Sequence, residues 1–393
     1  MPEKPDILVF FSDQHNALVT HSAGDPHVNT PNLSRLAAEG TEFTNAYTSC
    51  PLCVPARMSM LTGQLPSRTG IFGNGNVLSS EQATFTHCLG AEGYETVLCG
   101  RMHFKEQDQF HGFVKRPIGD FTPCVGGRGG PLRDDLGPYA GTPSGNITKL
   151  YGGGTSPVLE YDRAVTRAAL EYLTPSHDRP IFLVVGIYGP HHTYVAPTEL
   201  YRKYLDLLDP PDSDSRETFD VHPALRNAQR RFTTQEIRCM RAAYYGMVEH
   251  VDGLVGRVRG AWSDHLDRSG RKGVFCYVSD HGDQIGEKGH WGKMTFYEAS
   301  ARIPLIFAGA GIQAGNRVDA PVSIMDVGPT LCEFAATQPP PAQDGVTLMS
   351  ALRGGAPDGE RVVFSELLRT GVPARMLRYH QWKYVSYAGM EEG

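Results

Sequence analysis

Four separated apolar runs, each giving way abruptly to polar residues, most tightly limit what this chain can fold into. They are Asp6 to Ser12, Thr96 to Cys99, Ile181 to Ile187 and Val274 to Val278. Their apolar character is continuous rather than alternating, the pattern of a parallel strand covered on both faces. Stretches of helical period lie between them. Thr30-Pro31 opens one, as N-cap and first helical residue, whose stripe of Leu33, Leu36 and Ala37 stops at Gly40. Tyr161 to Leu173 forms a second, and a third is expected from about Thr234 to Arg259, ending near Gly260. Strands alternating with helices predict an α/β fold, a large and mostly parallel sheet sandwiched by helices.

In such sheets ligands bind beyond the carboxyl ends of the strands. The four runs release Asp13-Gln14, Arg101 and His103, His191, and Asp280-His281 at those ends, so these residues can converge on one site. Asp13, Gln14 and Asp280 offer hard oxygen ligands and His281 a nitrogen, a set suited to a divalent cation. Taken alone, Asp280-His281-Gly282-Asp283 reads as readily as a strand-exit turn.

A second constraint is Ser49 to Gly63, SCPLCVPARMSMLTG. Pro55 suits the first turn of a helix and Ala56 to Leu61 are good helix formers, which puts Cys53 just before a helix N-terminus. Unpaired N–H groups and partial positive charge gather there, and Arg57, about one turn in, can turn toward the same anion. Two other readings stand beside this one: a buried Cys at a helix cap, and a redox pair formed by Cys50 and Cys53.

Cys53-x-Pro55-x-Arg57, followed by Leu61-Thr62-Gly63 and Pro66-Ser67-Arg68-Thr69-Gly70, closely resembles the signature of type I sulfatases in the alkaline phosphatase superfamily. The resemblance implies that a separate formylglycine-generating enzyme oxidises Cys53 to formylglycine (3-oxoalanine), whose hydrate is the nucleophile. It also implies one divalent metal ion, calcium first and manganese second, held by Asp13, Gln14, Cys53, Asp280 and His281. Gly100-Arg101-Met102-His103 is similar to the family's Gly-Lys-x-His element, with Arg in place of Lys at 101. Pro190-His191 and His290-Trp291-Gly292-Lys293 resemble two further elements. Asn74 fits a sulfate-contacting Asn of the choline sulfatase branch, or a turn residue. The Asp-Gln and Asp-His pairs look like the branch that holds choline sulfatases and phosphonate monoester hydrolases.

Carried over, these matches make Cys53, Arg57, Arg101, His103, His191 and Lys293 catalytic, and Asn74, Arg101, His191 and Lys293 substrate-binding. Arg57 would order position 53, and His191 and Lys293 would assist departure of the alcohol. His103 would remove the proton that lets sulfate leave. The expected activity is hydrolysis of a small-molecule sulfate ester to an alcohol and inorganic sulfate. Two alternatives are phosphonate or phosphate monoester hydrolysis at the same site, and a catalytically silent anion-binding homologue.

At 393 residues the chain exceeds the size at which one core stops growing. A catalytic domain over 1–345 is expected, then a small antiparallel subdomain over 346–393, either cut short or minimal, with strands at Arg361 to Leu367 and Met376 to Tyr387. Residues 111–157 and 205–235 read as insertions, the first lying over the mouth of the site. With 40% hydrophobic and 20% charged residues and no apolar run near membrane-spanning length, a soluble protein is expected. A net charge of −6 weighs against a nucleic-acid partner. No leader-like segment precedes Ile7, so a cytoplasmic location and no membrane contact are expected; a homo-oligomer is left open. Eight cysteines are too dilute for a disulfide scaffold.

Overall fold

The computed structural model describes residues 4–120, 151–208, 221–356, 358–369 and 372–389. Its centre is a sheet of eight strands among the described residues. In chain order these are β1 (Asp6–Asp13), β2 (Gly40–Phe43), β3 (Glu95–Gly100), β4 (Lys115–Ile118), β5 (Ile181–Pro190), β6 (Gly273–Ser279), β7 (Leu305–Gly309) and β8 (Asn316–Val318). The spatial order is β8-β2-β7-β6-β1-β5-β3-β4. The five strands from β6 to β4 run parallel, and β7 pairs antiparallel with both β6 and β2.

Alternation along β1 shows why both faces must be covered. Ile7, Val9 and Phe11 enter one apolar cluster with α2 (Cys53–Thr62), α3 (Phe85–Ala91) and α6 (Val327–Phe334). Leu8 and Phe10 enter the other with α1 (Pro31–Ala38), α4 (Pro157–Leu173) and α5 (Thr234–Ser269). The sheet is thus sandwiched by helices, as its apolar runs require.

Several local expectations shift. α5 passes through Gly260 and ends at Ser269, where Gly270 takes a left-handed φ of 68°. A mid-helix glycine costs only about 1 kcal/mol, and Val258, Trp262 and His265, all buried around it, outweigh that. Thr30 makes no side-chain cap on α1; its hydroxyl accepts from His21 N, while Asp252 of α5 receives the N–H groups of Asn32 and Leu33. Lys115–Ile118, expected within an insertion, is the edge strand β4. The remainder of that insertion over 121–150 lies outside the described residues, as does 209–220 of the second.

The small C-terminal sheet has three antiparallel strands, β9 (Val362–Arg369), β10 (Val372–Tyr379) and β11 (Trp382–Tyr387). The expected strand Met376 to Tyr387 is split by a turn at His380-Gln381. The sheet is fastened beneath the signature helix, with Glu366 N donating to Ser49 O at 2.8 Å and Glu366 Oε2 accepting from Ser67 N at 2.8 Å.

Candidate active site

α2 begins at Cys53 itself, one residue earlier than expected, after an extended Leu52, and every one of its ten residues is buried. Its first turn points at the carboxyl ends of β1 and β6. Cys53 Sγ lies 2.9 Å from Lys293 Nζ, 3.3 Å from His281 Nε2 and 3.9 Å from Asp13 Oδ1. Asn74 Oδ1 accepts from Val54 N at 3.0 Å and so takes up one of the N–H groups at this helix end.

Asp13 closes β1 and Asp280 follows β6, neighbouring parallel strands, which is why residues so far apart in sequence face each other. Arg57 spans the two: Nε donates to Asp280 Oδ2 at 2.9 Å and Nη2 to Asp13 Oδ2 at 3.0 Å, with the guanidinium 4.4 Å over the Phe11 ring. Its contacts run to the carboxylates and the Arg101 carbonyl, so it organises the ligands of position 53 more directly than position 53 itself. Gly282 lets this loop close, since a Cβ there would stand 2.0 Å from Ala299 O.

The donor atoms of Asp13, Cys53, Asp280 and His281 all lie within 4.8 Å of one another. His281 Nδ1 stands 3.1 Å from Gly282 O, a carbonyl that can only accept, so Nδ1 carries a proton, and Nε2 presents a lone pair whenever the ring is neutral. Gln14 Oε1 is buried without a hydrogen-bond partner. Two carboxylates, an imidazole nitrogen and an orphaned amide oxygen fit a hard divalent cation.

The basic residues surround this cluster. Gly100, at a φ of 92°, approaches Gly186 O too closely for any Cβ, and it delivers Arg101 off β3. Arg101 donates from Nε to Asp13 Oδ2 at 2.6 Å and from Nη1 to Asp120 Oδ1 at 3.1 Å, and stacks 4.5 Å from the Tyr188 ring. Its Nη2 lies 2.7 Å from His103 Nδ1. A guanidinium only donates, so Nδ1 accepts and the proton of the neutral ring sits on Nε2. His191 is the opposite case: its Nδ1 is 2.8 Å from His192 O, which leaves the Nε2 lone pair free. Gln14 and His103 both hold left-handed φ values, 67° and 64°, a strained conformation for residues with side chains.

The charges reinforce one another. Burial alone would raise the Asp13 carboxyl, but Arg101, with Arg57 and Lys293, holds it well below the usual carboxylate range. Burial and Asp13 would raise the Cys53 thiol, yet Lys293 and His281 bring it below its ordinary value. Burial, with Arg101 beside His103 and Lys293 near His191, pushes both imidazoles well below their usual range and keeps them neutral.

Of the predicted site residues, Asp13, His281 and Lys293 reach Cys53 Sγ and Asn74 meets Val54 N; Asp280, Arg57, Arg101 and Gln14 join them through the two carboxylates, His103 through Arg101, and His191 stands against His192. Sequence reasoning missed Asp120, which holds Arg101 and accepts from His103 N at 2.7 Å, and Asp283, which accepts from Gln14 Nε2 at 2.5 Å. It also set aside His192, whose ring stacks on His191 with centroids 3.9 Å apart and whose pKa is lowered, chiefly by burial, to about 3. Among the tryptophans, Trp291 packs near Tyr194 and Phe232, Trp262 lies against His265, and Trp382 is exposed.

Comparison with known proteins speaks to family and fold. The chain is 33% identical over 416 residues to a choline-sulfatase of Rhizobium meliloti (strain 1021), an alignment covering 97% of this chain and 78% of that one. It is 28% identical to arylsulfatase K of Danio rerio, covering 98% and 76%. Its fold is similar to that of a phosphonate monoester hydrolase of Agrobacterium radiobacter, with a TM-score of 0.77 at 21% identity, covering 98% and 88%. The model of the sulfatase family matches residues 5–337, and with that match and these relatives the chain belongs to the sulfatases, the hydrolases of sulfuric esters.

Proposed function

We propose that this sulfatase is of the formylglycine type, with the nucleophile made from Cys53 and one divalent cation held by Asp13, Gln14, Asp280, His281 and position 53. The observation that carries the reading is the meeting, within hydrogen-bonding range of Cys53 Sγ, of Lys293 Nζ and His281 Nε2 at a helix N-terminus. Formylglycine would supply a hydrated aldehyde as nucleophile, and calcium or, second, manganese would polarise the ester oxygens and lower that nucleophile's pKa.

The chain's own groups divide the remaining work. Arg57 and Arg101 keep Asp13 ionised and fixed in place. Lys293, the cation nearest position 53, neutralises the sulfate oxygens and donates a proton toward the departing alcohol. Asn74, at the same helix end, and His191 would hold the ester. The tautomers set by their neighbours exchange two roles expected from sequence: His191 offers Nε2 as proton acceptor, and His103 donates from Nε2. Neutral imidazoles suit both tasks.

The substrate is a small-molecule sulfate ester, and the choline-sulfatase relative makes choline sulfate the first compound to try. Mass spectrometry of the peptide containing Cys53 tests the nucleophile: conversion lowers its mass by about 18 Da. An unshifted peptide from active enzyme would sink the reading. Assay of choline sulfate, aryl sulfates, sugar sulfates and phenylphosphonate with calcium and with manganese then fixes ester class and ion. Phenylphosphonate turning over fastest would favour the phosphonate alternative.

A further inference from the structure

We propose that Asp283 is a positioning residue for the metal centre, fixing the side-chain amide of Gln14 so that Oε1 remains the free oxygen donor. This inference rests on the reading that the cluster around Asp13 holds a divalent cation.

The two ends of a glutamine amide are nearly the same shape, so its orientation is decided by its surroundings. A carboxylate accepts and does not donate. Because Asp283 Oδ2 lies 2.5 Å from the Gln14 amide, the end facing it has to be Nε2. His192 Nδ1, at 3.5 Å, stands on the same nitrogen. The oxygen is thereby left buried and without a hydrogen-bond partner, the state in which an amide oxygen serves a cation.

Asp283 is itself held rigid. Its Oδ2 accepts from Tyr194 Oη at 2.7 Å, and its Oδ1 accepts from Ile285 N at 3.1 Å and Gly292 N at 3.0 Å. The backbone of Gln14 is equally constrained: its N–H donates to Asp280 Oδ1 and its carbonyl accepts from Tyr244 Oη at 2.7 Å. With both ends fixed, the amide has one orientation. Groups behind a metal ligand commonly change metal affinity 10- to 100-fold when altered, in order-of-magnitude terms.

The rival account is that Asp283 merely shapes the loop leading through Gly292 to Lys293. Two substitutions separate the two. Asp283→Asn can present its own amide N–H to Gln14, which invites the Gln14 amide to turn and offer a donor to the cation. Adding Gln14→Glu restores an oxygen at both ends, since one carboxylate oxygen accepts from the amide introduced at position 283 and the other remains for the metal. A residue that only shaped the loop would not be rescued in this way.

Calcium chloride and manganese chloride are titrated calorimetrically into the EDTA-treated full chain. Asp283→Asn is expected to weaken binding about 10- to 100-fold, and the double variant to return to within about 3-fold of wild type. Unchanged binding in Asp283→Asn, or no recovery in the double variant, overturns the proposal. Should Asp283→Asn fail to fold, Tyr194→Phe decides, because it removes one hydroxyl from Asp283. A weakening of about 3-fold or more supports the proposal and unchanged binding refutes it. Wild type that takes up neither ion removes the metal reading itself, an outcome distinct from the others.

Discussion

Strand β1 begins and ends with an aspartate, and the two ends differ in kind. Asp6 and Asp13 are both fully buried, and each has a histidine and an arginine nearby. At Asp6 both oxygens are occupied: Oδ1 accepts from Ile181 N at 2.8 Å, and Oδ2 meets His265 Nε2 at 2.9 Å with Arg271 at 3.7 Å. The result ties β1 to β5 and α5. At Asp13 only Oδ2 is taken up by arginines, while Oδ1 faces Cys53 Sγ at 3.9 Å and His281 Nε2 at 3.8 Å, beyond an ordinary N–H···O bond. Similar residues make a staple at one end of the strand and a site at the other, and what separates them is an acceptor met only by a 3.9 Å thiol contact.

The sharpest way to break this comparison is to remove each carboxylate in turn. Asp13→Ala should lower kcat/KM at least about 10³-fold and abolish stabilisation by added calcium or manganese. Asp6→Ala should leave kcat/KM near wild type in the cold but cost about 3–5 kcal/mol in urea unfolding, because His265, Arg271 and an N–H are stranded in the interior. If Asp6→Ala loses activity while still folded, the two ends are not different in kind.

A smaller effect tests what the arginines contribute. Arg101→Lys keeps a charge beside Asp13 but cannot also reach Asp120 and His103, so kcat should drop on the order of 10²-fold with calcium affinity little changed. Equal kcat would show that the planar fork is dispensable and only its charge matters.

The smallest effect concerns a third buried carboxylate, Asp162 of α4. It accepts from Tyr188 N at 2.6 Å and Gly189 N at 2.8 Å, and burial pushes its pKa up to about 7. Unfolded, the group loses its proton near pH ~4. Between those values the native state holds the additional proton, so this group makes stability fall as pH rises through the window and level off above it. The slope should reach about 1.4 kcal/mol per pH unit at most, and Asp162→Asn should flatten it in urea unfolding between about pH 4 and 7. A wild-type profile no steeper than the variant's would place Asp162 with the ionised carboxylates.

How much of this the sequence discloses follows from what kind of pattern each feature leaves. The strands were legible because burial on both faces writes a continuous apolar run, and the site residues because they stand where those runs stop. Lys115–Ile118 left no such run: as an edge strand it alternates exposed and buried residues and holds a proline, so it looked like loop. Gly260 was a false stop, since packing decides a helix this long. Asp120 and Asp283 were missed for a different reason. They act on Arg101 and Gln14 through side chains, and a carboxylate serving a neighbour carries no local mark. Asp283 did carry one signal, its place in Asp280-His281-Gly282-Asp283, but backbone geometry was reason enough for it there.

The complete enclosure of α2 also bears on timing. A separate enzyme acting on Cys53 would have to reach it, and in the finished structure every residue from Cys53 to Thr62 is buried. Any conversion at this position therefore belongs to the interval after the ribosome releases the segment and before the core closes over it. On the reading proposed above, a chain that folded before conversion would keep its thiol and lack the proposed nucleophile.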